Sequence, residues 1–153
     1  MTIHVECLPD ETLLKKLGFA RKQIRHHQGK SRVFADIKIK TDQMAVVDED
    51  PGSARHPYEQ QLILQKQAHG IDYFLDRKAN NKIFVLKVKL EDWVLAACHK
   101  SQIDITKFSL PGKPNDLHDV INNRLQYFEK LLDALLKADS PPILQLVTWL
   151  QMQ

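Results

Sequence analysis

The chain is poor in cysteine and has no long apolar run. Its two cysteines, Cys7 and Cys98, have no neighbour at metal-ligand spacing. Both lie in apolar contexts, which reads as buried free thiols and points to a cytoplasmic protein. The longest unbroken apolar run, Trp93 to Cys98, has six residues, whereas a membrane span needs roughly 20, so no membrane partner is expected. The opening MTIHVECLPDE lacks a basic region followed by an apolar one, so no secretion signal is read there. Internal repeats and low-complexity tracts are also missing, and the seven histidines show no metal-ligand spacing.

What is present fits one compact domain. The chain has 153 residues, 43% of them hydrophobic, enough for a sizeable core. Net charge is +3, but it is unevenly spread. Between Phe19 and Lys40 the basic residues Arg21, Lys22, Arg25, Lys30, Arg32, Lys38 and Lys40 face one acid, Asp36, and the rest of the chain is net negative. A basic segment beside acidic clusters matches a phosphate-bearing partner near a cation, and it also matches a solvated charged face.

Strand and helix patterns alternate. Ile3, Val5 and Cys7 mark a first strand, after which Asp10 is read as the cap of a helix carrying Leu13, Leu14 and Leu17, stopped at Gly18. A weak strand around Ile24, the loop His26-His27-Gln28-Gly29-Lys30 and a helix with Val33, Phe34 and Ile37 follow. Met44 to Val47 is a continuous apolar run, as in a strand covered on both faces. Pro57 is read as opening a helix that buries Leu62, Ile63 and the stem of Lys66 and ends at His69-Gly70. Strands at Ile71–Leu75 and Ile83–Leu86, a turn at Asn80-Asn81 and a helix from Leu90 to His99 come next. From Pro114 one long amphipathic helix is expected to run to Lys137, and Ser140-Pro141 starts a short last helix. The pattern predicts an α/β fold, with a mainly parallel central sheet of four to five strands flanked by helices. Residues 1–110 would form that domain, and 111–153 a C-terminal helical extension capping it.

Acids gather at predicted strand ends. Glu6 closes the first strand, and Asp48, Glu49 and Asp50 follow Met44–Val47. Ligands of open α/β sheets bind beyond the carboxyl ends of strands. Residues two apart on an extended segment point the same way, so Asp48 and Asp50 are expected to share a target while Glu49 faces elsewhere. Converging carboxylates repel each other unless a hard divalent ion such as Mg²⁺ sits between them. Asp50-Pro51-Gly52-Ser53 also reads as plain turn chemistry.

The combination IHVECLPDETLLKKLG, with Glu6, and MAVVDEDPGS, with Asp48 and Asp50, resembles the Toprim domain. That domain is the metal-binding α/β module of topoisomerases, bacterial primases and nucleases of the overcoming-lysogenisation-defect type. Small Toprim-like proteins of prokaryotic defence and mobile-element loci also carry a Gly-Lys loop, similar to His27-Gln28-Gly29-Lys30-Ser31, and an acid-Trp-Leu segment, similar to Glu91-Asp92-Trp93-Val94-Leu95. The resemblance covers Thr2 to Lys100 and departs at Cys7, where glycine is usual, and over Leu8-Pro9-Asp10-Glu11, where Asp10 or Glu11 would fill the acidic position.

The resemblance implies a Toprim-like, Rossmann-like sheet. It also implies a nuclease or nuclease subunit dependent on Mg²⁺ (or Mn²⁺), cutting phosphodiesters of nucleic acid, DNA ahead of RNA. Glu6, Asp48 and Asp50 would be its catalytic and metal-binding acids. Glu91 or Asp92 would join a second metal, and the same pair also reads as helix N-terminal charge. Lys30, Arg32 and Arg25 would contact phosphate. The alternative is a non-catalytic Toprim-like binding or assembly subunit working beside an ATPase. Other sheet-edge acid families fit less well. A phosphotransfer receiver has the opposite count of acids after its strands, and a haloacid-dehalogenase-type phosphatase carries its Asp-x-Asp after the first strand.

Overall fold

The structure is a computed structural model that describes residues 1–152. Its elements are β1 (Ile3–Val5), α1 (Leu8–Lys16), β2 (Ile24–His26), α2 (Lys30–Ile37), β3 (Met44–Asp48), β4 (Ile63–Ala68), β5 (Ile71–Asp76), β6 (Asn81–Leu86), α3 (Leu90–Lys100), α4 (Pro114–Val120), α5 (Leu125–Lys137) and α6 (Pro141–Leu150). The six strands form one mixed sheet in the order β2-β1-β3-β6-β5-β4. The first four are mutually parallel, and β5 and β4 pair antiparallel.

Two apolar layers cover the sheet. On one face Ile3, Val5, Met44, Val46, Phe84 and Leu86 pack with α1, α3, α5 and α6 in one cluster. On the other, Ala45, Val47 and Ile83 pack with Val33, Phe34 and Ile37 of α2 and with Tyr58. Alternate residues of β3 therefore serve opposite layers, and this is why its sequence is apolar throughout. The C-terminal helices contribute Phe128, Leu131, Leu132, Leu135, Ile143, Leu146 and Trp149 to the first layer.

Several expectations are corrected. The sheet has six strands and two antiparallel pairings. The helix read from Pro57 to His69 is a short 3-10 turn, Pro57–Gln61, followed by the exposed edge strand β4. There Ile63, Leu64 and Lys66 are exposed, and of the three residues expected to be buried only Leu62 packs on the core. His69 and Gly70 both have positive φ, 50° and 73°, as a two-residue hairpin turn requires, so the glycine taken as a helix stop joins β4 to β5. Asn81 opens β6 and is not part of the turn.

The single long helix is two, α4 and α5, separated by a 3-10 turn at Ile121–Asn123 and by Arg124 at φ −132°, ψ 34°. Asn122 and Asn123 are poor helix formers. Arg124 Nη1 donates to Ser109 O at 2.9 Å, which fixes the bend. Finally, α1 starts two residues before the expected cap. Cys7 is the N-cap, and Asp10 lies inside the first turn, 1% exposed.

Candidate functional site

From β1 the chain crosses to β2 on one side, and it later returns to β3 on the other. The strand order therefore reverses between β1 and β3. A crevice forms at the carboxyl ends of strands at such a point. Glu6 directly follows β1 and Asp48 ends β3, so the two acids face each other across the reversal. Glu6 Oε2 accepts the backbone N–H of Asp48 at 2.5 Å. Asp48 Oδ1 accepts the N–H of Leu90, the first residue of α3, at 2.9 Å, which directs the positive end of that helix at the carboxylate.

Two more acids close in from the helices. Asp10 of α1 and Glu91 of α3 are 1% and 4% exposed. Asp10 Oδ2 accepts from Cys7 Sγ at 3.1 Å, and Glu91 Oε1 from His118 Nδ1 at 3.0 Å. Their remaining oxygens, Asp10 Oδ1 and Glu91 Oε2, are buried without a hydrogen-bond partner. Burial, then the charges of Asp10, Glu6 and Glu91, push Asp48 up to about 9. Burial and the charge of Glu6 push Asp10 up to about 7. Burial raises Glu6 as well, against the Asp48 hydrogen bond and the charge of Lys30. Four carboxyls thus crowd a region that cannot hold four negative charges at neutral pH. Burial and the charge of Asp10 also push the Cys7 thiol up, so it stays protonated as a donor to that carboxylate.

Asp50 reaches the same place differently from its expected route. Its φ is +43°, so the extended run ends at Asp48 and the two aspartates are not in simple alternation. The Asp50 side chain is half exposed at the mouth, 4.0 Å from Lys89 Nζ. Glu6, Asp48 and Asp50 line one open cleft of 410 Å³, together with Cys7, His26, His27, Gln28, Gly29, Lys89 and His118. Their carboxylate oxygens do not all come within 4.8 Å of one another. Glu49 turns away and pairs with Lys87.

Among the other candidates, Glu91 belongs to the buried cluster, whereas Asp92 lies beside Lys113, Pro114 and Asp116 in a separate surface groove. Lys30 does not project freely into the cleft. Its Nζ donates to the carbonyls of Asp48 and Glu49 at 2.9 and 2.8 Å and so fastens α2 to the acidic loop. Arg32 is exposed on the first turn of α2, and Arg25 is exposed on β2 with Nε 3.7 Å from Asp36. The thiols of Cys7 and Cys98 are free, and no described helix is long and apolar enough to cross a membrane.

Sequence reasoning gave Asp10 a capping role because Leu8-Pro9 looked like the end of a strand. A proline at the second helical position was the available signal that the helix had already begun. Comparison with known proteins finds no family model, no curated protein and no solved structure that matches this chain.

Proposed function

We propose that the chain is a Mg²⁺- or Mn²⁺-dependent phosphodiesterase of the Toprim-like kind, a nuclease or nuclease subunit acting on nucleic acid. The reading rests on one observation. Glu6 and Asp48 end adjacent parallel strands at the point of strand reversal, and buried Asp10 and Glu91 add oxygens that have no donor. An all-oxygen, carboxylate-rich donor set suits a hard divalent cation. Mg²⁺ commonly takes one or two carboxylates and keeps waters, so three acids need not close on one point. Asp48 and Glu6 would hold the ion, with Asp50 reaching it from the mouth and Glu91 behind.

A bound ion would supply a nucleophilic water and neutralise charge developing on the phosphorus oxygens. The chain's own groups do the rest. The Asp48 N–H fixes one oxygen of the Glu6 carboxyl and leaves the other free to face the ion. Lys30 holds the Asp48–Glu49 backbone against α2. Arg25 and Arg32 are exposed to take backbone phosphates of DNA or RNA.

A second reading, a non-catalytic binding or assembly subunit beside an ATPase, draws on two observations. The three acids' oxygens do not all approach within 4.8 Å, and Cys7 rather than glycine occupies the first loop, its thiol committed to Asp10. Nicking of supercoiled DNA in Mg²⁺ or Mn²⁺ separates the two. The enzyme reading expects cleavage by the wild type that falls roughly 100-fold or more in Asp48→Asn, as loss of several kcal/mol of transition-state stabilisation requires. Equal cleavage by both proteins would sink it. Saturable metal binding without cleavage would leave the subunit reading standing.

A further inference from the structure

A second cluster lies on the other face of β1. His4 is fully buried there, His27 follows β2, and Asp36 comes from α2. His4 Nδ1 and His27 Nε2 are 2.9 Å apart, and Asp36 Oδ2 lies 3.4 Å from the first and 3.7 Å from the second. Among the described residues, this is the one group of three or more His, Cys, Asp or Glu side chains whose ligand atoms all lie within 4.8 Å of one another.

The tautomer of His4 is set by its neighbours. Gln43 Nε2 donates to Thr41 O at 2.9 Å, which turns Gln43 Oε1 toward His4 Nε2 at 2.8 Å. His4 Nε2 therefore carries the proton, and the Nδ1 lone pair points into the cluster. A carbonyl partner on the outer nitrogen of an imidazole is the support that metal-binding histidines ordinarily have.

The spacing can be tested against a metal. A circle through the three ligand atoms has a radius of about 2.0 Å, close to the 2.0–2.1 Å of Zn–N and Zn–O bonds. An ion would sit slightly out of their plane, with a fourth direction open. The tetrahedral ligand spacing at such bond lengths is about 3.3 Å, so His4 and His27 need separate by only about 0.4 Å. Lys40 Nζ, 2.9 Å from Asp36 Oδ2, and Arg25 Nε, 3.7 Å away, hold the carboxylate in place and also compete with the ion. Both are surface side chains, and a carboxylate oxygen has lone pairs for more than one partner.

We propose that His4, His27 and Asp36 form a transition-metal site of the two-histidine, one-carboxylate type that takes Zn²⁺ with water as the fourth ligand. Imidazole ligands favour Zn²⁺ over Mg²⁺, so the site differs in kind from the all-carboxylate edge. The ion fastens β1, the segment after β2 and α2, the same three segments that carry Glu6, Gly29 and Lys30. It thereby ties together the segments that form the carboxyl edge, His27 itself lining the acidic cleft.

The test is Zn²⁺ titration of the chelator-stripped chain by calorimetry, with Co²⁺ absorption as a spectroscopic readout. The expected result is one Zn²⁺ per chain, intense four-coordinate Co²⁺ bands, and a raised thermal midpoint. His27→Gln and, separately, Asp36→Asn weaken Zn²⁺ binding at least tenfold and abolish the Co²⁺ bands. A Glu6→Gln/Asp48→Asn variant keeps both, so a failed nuclease reading does not touch this result. Wild type and His27→Gln binding Zn²⁺ alike, no Co²⁺ bands in the wild type, or loss of binding in Glu6→Gln/Asp48→Asn would each overturn the site.

Discussion

At the amino edge of the parallel strands, Asp76 is 3% exposed and fully partnered. Its Oδ2 accepts from Tyr58 Oη at 2.8 Å, and its Oδ1 from the N–H groups of Lys78 and Ala79. Asn81 beside it, fully buried, donates to Ile37 O, Lys40 O and Tyr58 Oη and accepts from the Gln43 N–H. At the carboxyl edge of the same sheet, Asp10 and Glu91 are equally buried, yet each keeps an oxygen with no donor. A buried acid whose bonds are complete stabilises a fold. A cluster of incompletely bonded acids costs stability unless protons or a cation neutralise it. The two edges of one sheet thus differ in how far their buried acids are satisfied.

The comparison predicts opposite signs for neighbouring kinds of mutation. Asn81→Ala strands Gln43 N–H and two carbonyls inside the protein and should cost about 3 kcal/mol in urea unfolding. Asp10→Asn removes a charge from the crowded edge and should stabilise the metal-free chain at pH 8 by at least about 1 kcal/mol, with the gain shrinking as pH falls and vanishing only below about pH 4. A destabilising Asp10→Asn would mean that the carboxyl edge is as complete as the amino edge.

The pH profile sharpens the same contrast. Asp48 and Asp10 are raised in the fold, to about 9 and about 7. Raised carboxyls contribute stability that is fully present below their unfolded values, near 4, and lost as pH climbs through the folded ones. Metal-free chain should therefore lose stability steadily from about pH 4 to pH 9, and saturating Mg²⁺ should flatten that decline. Thermal melts across this range, with and without Mg²⁺, measure it.

How well each part reads from sequence follows from burial. Met44–Val47 of β3 and Ile83–Leu86 of β6 are covered on both faces, so their apolar character is unbroken, whereas β1 shows only the alternation of Ile3 and Val5 around His4. β4 is exposed on almost every residue, and Ile63-Leu64 then mimics one turn of an amphipathic helix. Glu6 and Asp48 are legible because strand ends at a reversal point are where ligands bind. Asp10 is misplaced because a strand end and a helix start differ by two residues around Pro9. Arg124 gives no local sign that it will bend the helix, since its partner, Ser109 O, lies fifteen residues earlier. The His4–His27–Asp36 group is invisible to spacing rules because the sheet, not the sequence, joins its members.

The smallest expected effect is at the rim. Arg32→Ala should leave stability unchanged, weaken DNA binding uniformly across sequences, and reduce the slope of log K against log salt by about 1. Fluorescence anisotropy over a salt series reads this, and an unchanged slope would remove Arg32 from the nucleic-acid path.

The carboxyl edge as a cation site is tested most directly by calorimetric titration of Mg²⁺ or Mn²⁺ at pH 7.5, in two buffers of different ionisation heat. The expected result is saturable binding to the wild type with net proton release, since ligands protonated in the crowded edge must give up protons to the ion. Asp48→Asn should bind at least tenfold more weakly and release fewer protons. Absence of saturable heat in the wild type, or identical binding and proton release in Asp48→Asn, would contradict a cation site built on Glu6 and Asp48.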